Sequence, residues 1–137
     1  RRHHQISPCK DGLDLPGLDL RDPRRPEERL ASLTVEAGAV STSGADQKPR
    51  HILDPRTGRA AAGALSVTVV ASSAMEADAL STAVFVLGAE KGLALLSARG
   101  AEGLVVTEDG GGLTLRTTPG FAERHALVVR PGLKVRP

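Results

Sequence analysis

At 137 residues the chain has room for one domain and a modest hydrophobic core. It is 40% hydrophobic and 25% charged with a formal net charge of +2, values that exclude a disordered polyelectrolyte. Phe85 and Phe121 are the only aromatic residues, which argues against the base-stacking platforms of nucleic-acid binders, and no apolar run reaches the roughly 18 residues of a membrane span.

Residues 1–30 hold four of the nine prolines, Pro8, Pro16, Pro23 and Pro26, together with Arg1, Arg2, Arg21, Arg24, Arg25 and Arg29. Each proline removes a backbone donor and turns the preceding residue away from helix. The stretch therefore reads as a poorly ordered opening segment with a solvated basic arm, and residues 31–137 read as the folded part. Cys9 stands alone, so no internal disulfide can form. A start at Arg1 rather than Met fits a processed or partial product.

Leu33-Thr34-Val35-Glu36 predicts a first strand, which turns at Gly38 and resumes through Ala39-Val40-Ser41-Thr42. Residues 44–63 are rich in Gly, Pro, Lys and Arg and read as a long loop, a kind of segment that is often functional. Residues 64–71 are β-branched and mostly apolar, as suits a central buried strand. Ser73 followed by Glu76 is a capping box that opens a helix running to Gly88. Leu80, Val84 and Leu87, with Ala77 and Ala83 nearby, form its predicted core face.

A shorter helix is expected over Ala89 to Ser97, although Gly92 inside it weakens the helical preference. Leu104-Val105-Val106-Thr107 and Leu113-Thr114-Leu115-Arg116 flank Asp109-Gly110-Gly111-Gly112 as a hairpin. Ala126-Leu127-Val128-Val129 gives the last strand. This order implies an α+β fold, a mainly antiparallel sheet with two helices packed on one face.

Three groups of residues carry candidate chemistry. Asp78 and Thr82, four apart on the capped helix, project oxygens from one side. A carboxylate beside a hydroxyl suits a hard cation that completes its shell with phosphate and water, although by spacing alone an exposed acid next to a helix threonine is the more ordinary reading. His51 opens His-Ile-Leu-Asp-Pro-Arg-Thr-Gly, where the turn chemistry of Asp54-Pro55 and Thr57-Gly58 presents a general-base candidate. A surface histidine beside a turn is the plainer alternative. Ser41-Thr42-Ser43-Gly44 closes a strand with hydroxyls and a glycine, so it either approaches a phosphate or ribose or is a simple polar strand exit. His3, His4 and His125 lack partners at zinc-site spacing.

In their order these segments resemble the ApbE family of FAD:protein FMN transferases. The likeness runs from Ala39-Val40-Ser41-Thr42-Ser43-Gly44 through residues 51–58 and Ser66-Val67-Thr68-Val69-Val70-Ala71. It continues in Met75-Glu76-Ala77-Asp78-Ala79-Leu80-Ser81-Thr82-Ala83 and Val86-Leu87-Gly88, and weakly in Thr118-Pro119-Gly120-Phe121. It covers about residues 20 to 121, and three ordered motifs are far more specific than any one of them.

The resemblance implies that residues 31–137 are the C-terminal part of a flavin transferase domain. Asp78 and Thr82 would hold Mg2+ beside the pyrophosphate of FAD, and His51 would help deprotonate a Thr or Ser of a flavin-accepting target protein. Ser43 and Gly44 would line the flavin cleft, and Thr57 would shape the His51 loop. Family members carry a Gly-Ile-Ala-Lys-Gly type motif upstream of the matching region, which supplies a further metal ligand. A chain lacking it is expected to bind FAD weakly, and the alternative to an active transferase is a catalytically incomplete remnant that binds only flavin or protein. The family likeness suggests a periplasmic or membrane-anchored parent and leaves a cytoplasmic one open.

Overall fold

The computed structural model describes residues 2–6 (as backbone), 17–44, 64–109 and 112–137. In chain order the elements are β1 Arg2–Ile6, β2 Gly17–Arg21, β3 Arg29–Thr34, β4 Gly38–Gly44, β5 Ser66–Ala71, α1 Ala74–Leu87 and α2 Ala89–Ala98. There follow β6 Glu102–Asp109, β7 Gly112–Thr117, α3 Phe121–Arg124, β8 Val128–Val129 and β9 Lys134–Arg136. Six strands form one sheet in the order β1-β4-β5-β6-β7-β9, and β2-β3-β8 form a second. All pairings are antiparallel except that of β7 with β9, so the expected α+β class with a mainly antiparallel sheet is what the chain adopts.

Side chains alternate across a strand, and the two cores follow that alternation. Ala39, Val67, Val69, Ala71 and Val105 face α1 and α2, where they join Ala77, Leu80, Val84, Phe85 and Leu96. Val40, Val70, Leu104, Val106 and Leu115 face the other way and pack with Leu20, Leu30, Leu33, Val35 and Phe121. The helices therefore lie on one face of the large sheet, as expected, and the small sheet covers the opposite face. Covered on both sides, β5 is buried at every position, which is why its sequence reads as a continuous apolar run rather than an alternating one.

The second sheet is where sequence reasoning fell short. Residues 17–30, read as part of a poorly ordered opening segment, instead supply β2, a turn and the start of β3, with Leu20 and Leu30 in the core. The prolines do not prevent this, because Pro23 and Pro26 occupy the turn between the strands. The strand predicted at 33–36 is shifted to Arg29–Thr34 and belongs to the small sheet, whereas β4 belongs to the large one. Gly38 enters β4 at φ +101°, and a Cβ there would sit 2.5 Å from the carbonyl oxygen of Ala71, so both conformation and space call for glycine.

Helix α1 begins as the capping signature predicts, the Ser73 hydroxyl accepting from the Glu76 N–H at 3.2 Å. The Glu76 carboxylate accepts from the Ser72 hydroxyl at 2.9 Å, so a neighbouring side chain takes up the acid. The buried face consists of Ala77, Leu80, Ser81, Val84 and Phe85. Leu87 departs from the expected face and is 37% exposed. It shares a flank with Leu80, which is itself at the edge of the buried stripe. Gly92 is explained by packing: a Cβ there would lie 2.5 Å from Val84 Cγ1, so its absence lets α2 close on α1. Among the described residues no helix is long and apolar enough to cross a membrane.

Candidate functional site

The side chains of α1 that face β4 include a polar group inside the core. Ser41 and Ser43 alternate along β4 on the face turned to α1, and both are fully buried. Their hydroxyls lie 3.2 and 2.9 Å from that of Ser81, also fully buried. Ser81 in turn donates to the backbone carbonyl of Asp78 at 3.0 Å. A hydroxyl has one proton. With that proton on the Asp78 carbonyl, Ser81 can only accept from Ser41 and Ser43, so donation runs in one direction from β4 into α1.

Asp78 and Thr82 stand one turn apart on the adjoining face of the helix, both half-buried, with Asp78 Oδ1 closed off from solvent. The Thr82 hydroxyl donates to the Asp78 carbonyl at 3.1 Å. Its proton is thereby directed into the helix and its oxygen lone pairs outward. Among the described residues no group of three or more His, Cys, Asp or Glu side chains is placed to hold a metal. One carboxylate with one oriented hydroxyl is a donor set that fits a hard divalent cation whose remaining ligands are phosphate and water.

The structure brings together Asp78 and Thr82, and places Ser43 directly beneath their helix. It also redirects Ser43, whose hydroxyl points into the interface with α1 and not outward. Gly44 ends β4 opposite Ser66, the first residue of β5. His51 and Thr57 fall between those two residues in the chain, outside the described residues. A surface pocket of about 440 Å³ lined by Gly38, Ala71, Ser72, Gly100 and Glu102 lies at the other end of β4 and β5 and holds none of the sequence-predicted site residues.

Two further polar groups brace the small sheet internally and tie α3 to β6. Asp22, 1% exposed, accepts from the Arg24 N–H at 2.8 Å and from Arg130 Nη2 at 3.0 Å. Burial pushes its carboxyl pKa up, but those two donors and the Arg25 N–H outweigh it and hold the pKa below its ordinary value of 3.8. Glu102 bonds both Arg124 and His125, and His125 packs on Phe121 with ring centroids 4.8 Å apart. The Thr118-Pro119-Gly120-Phe121 segment is structural: Thr118 exchanges backbone and side-chain hydrogen bonds with Gly103, and Phe121 is fully buried.

Known proteins share this fold. The ApbE family model matches residues 17–105. FAD:protein FMN transferase of Escherichia coli K12 is 33% identical over 100 residues, covering 66% of this chain and 28% of the relative. The Vibrio cholerae protein of the same name is 35% identical over 137 residues, covering 92% of the chain and 36% of the relative. Among solved structures, the flavin transferase ApbE from Vibrio cholerae superposes with a TM-score of 0.71 at 25% identity, over 88% of this chain and 41% of that one. The ApbE protein of Thermotoga maritima gives 0.64 at 38% identity, over 78% and 37%. The chain thus spans about a third of the length of the curated relatives it matches. With the family model covering most of the described sheet and helices, the chain belongs to the ApbE family.

Proposed function

We propose that this chain is the part of an FAD:protein FMN transferase that carries Asp78, Thr82 and His51, and that the whole protein moves FMN from FAD to a Thr or Ser hydroxyl of an acceptor protein. The observation that carries the reading is the orientation of Thr82. Its proton is committed to the Asp78 backbone carbonyl at 3.1 Å, so the lone pairs of its oxygen are left to accept from or ligate another group, one turn of helix from the Asp78 carboxylate.

In the transfer, the acceptor oxygen forms a bond to the FMN phosphorus, the bond from that phosphorus to the bridging oxygen breaks, and AMP departs with the electron pair. A Mg2+ held by Asp78 and Thr82 would neutralise charge on the diphosphate. His51 takes the acceptor hydroxyl proton, since an alcohol is a weak nucleophile until deprotonated. His51 and Thr57 fall in the chain between the paired ends of β4 and β5, at Gly44 and Ser66, and Ser43 at that end bonds Ser81 of α1, which supports a shared opening with Asp78 and Thr82.

The test is flavin labelling of a threonine-bearing acceptor by the complete protein, read by in-gel flavin fluorescence with FAD and Mg2+ supplied. Asp78→Ala is expected to abolish labelling, and His51→Ala to slow it by about 10²-fold or more while FAD binding persists. Labelling at the unsubstituted rate by Asp78→Ala would remove the metal assignment.

A further inference from the structure

The buried hydroxyls of Ser41, Ser43 and Ser81 stand in the otherwise apolar interface between α1 and the large sheet. Ala39 on the strand and Ala77 on the helix, both buried, belong to the same core as Leu80, Val84 and Phe85 of α1. Apolar packing is non-directional. A hydrogen bond is narrower in both distance and angle. Three bonded hydroxyls therefore add a directional constraint to that packing.

The direction of donation matters as well. Ser41 and Ser43 donate to Ser81 across 3.2 and 2.9 Å, and Ser81 donates to the Asp78 carbonyl at 3.0 Å. The same carbonyl accepts from Thr82 at 3.1 Å. The peptide that follows Asp78 is thus held from two sides, by the hydroxyl that reaches down to β4 and by the hydroxyl that faces the candidate cation. A polarised chain of this kind strengthens each of its bonds in a low-dielectric interior.

We infer that Ser81 is a positioning residue: with Ser41 and Ser43 it fixes the register of α1 on β4, and so sets the distance between the oxygens of Asp78 and Thr82 and the Gly44 end of the strand. The inference rests on the proposed metal role of Asp78 and Thr82. Ser81 is fully buried, and its effect would pass through the Asp78 peptide. Residues behind metal ligands commonly change affinity by roughly 10–100-fold when replaced.

Mn2+ serves as the probe, its binding to the complete protein with FAD measured by the loss of free-ion electron paramagnetic resonance signal. Ser81→Ala is expected to raise the Mn2+ Kd about 10-fold. Ser43→Ala, which removes one donor and leaves Ser81 in place, is expected to raise it about threefold. Leu96→Ala, in the buried face of α2, provides a destabilised control and is expected to leave the Mn2+ Kd unchanged, which separates positioning from general loss of stability. Should Ser81→Ala not fold, Ser43→Ala alone decides. Unchanged Kd in the foldable serine variants, with binding abolished in Asp78→Ala, overturns the positioning role and leaves the metal assignment standing. Unchanged Kd in Asp78→Ala overturns both.

Discussion

Gly92→Ala is expected to destabilise the protein although helix propensity favours it. Gly92 lies inside α2, and in an exposed helix interior alanine is about 1 kcal/mol better than glycine. Here the added methyl would stand 2.5 Å from Val84 Cγ1, 3.1 Å from Val84 Cβ and 3.2 Å from its Cα. Carbon atoms prefer about 3.5–4 Å, so the nearest contact is short by about 1 Å. Rotating the valine does not relieve the contact with Cα, which belongs to the backbone of α1. The helices must part, at the expense of a fully buried Val84.

Overpacking of this kind costs about 1–3 kcal/mol. Set against the propensity gain, the net change is a loss of about 1 kcal/mol, a swing of about 2 kcal/mol from what the helix alone would give. Urea unfolding followed by far-ultraviolet circular dichroism measures it, and the cycle with Val84→Ala isolates the contact. In the Val84→Ala background the closest of the three atoms is gone, so Gly92→Ala should be less damaging by about 1 kcal/mol. A Gly92→Ala protein more stable than the parent by the propensity value, with no coupling to Val84, would refute the packing argument.

Two other substitutions test the frame that holds the site. Asp22 has a native pKa below its ordinary value of 3.8, so the unfolded state binds more protons on mild acidification and stability falls as pH drops through the native pKa. Asp22→Asn should lose about 1.5–3 kcal/mol at neutral pH and show a flatter acid limb, the difference from the parent shrinking below about pH 4; a difference that is constant with pH would exclude the linkage. Ser73→Ala removes the acceptor of the Glu76 N–H and should lower stability by about 1 kcal/mol, measured by thermal unfolding, and a loss below a few tenths would show that the first turn of α1 is held by packing instead.

Much of the helical layer could be read from residues, because its signals are local. The Ser73 cap, the Gly88 stop and the uninterrupted β-branched run of β5 each act within a few positions, and each is where the spacing put it. The small sheet could not be read in this way. Strands β2 and β3 are joined by a turn with two prolines, and β8 pairs with β3 through only Ala31 and Ser32, about a hundred residues away in the chain. Its stability comes from burying Leu20, Leu30 and Leu33 against the back of the large sheet. Such long-range burial leaves no mark in a sequence window beyond a few scattered leucines.

The site shows the same division between local and distant causes. That Asp78 and Thr82 share one turn of α1 was legible because helix spacing is a local fact, whereas a metal role for them comes from the family resemblance and not from spacing; the structure adds that the Thr82 hydroxyl donates to the Asp78 carbonyl. Ser81 was passed over, although its position carried a signal. Ala77, Ser81 and Val84 fall at helical spacing on one stripe, so a serine occupies a core position between two apolar ones. Ser41 and Ser43 sit at strand spacing beside Ala39, so they too share the buried face. A hydroxyl at a core position must find a partner, because leaving it buried and unbonded costs about 1–3 kcal/mol. Serines in phase on a strand and on the next helix are each other's nearest solution to that requirement. Taken together, the two periodicities require a contact that neither element implies alone, and it is this contact that sets where the oxygens of Asp78 and Thr82 stand relative to the strand below.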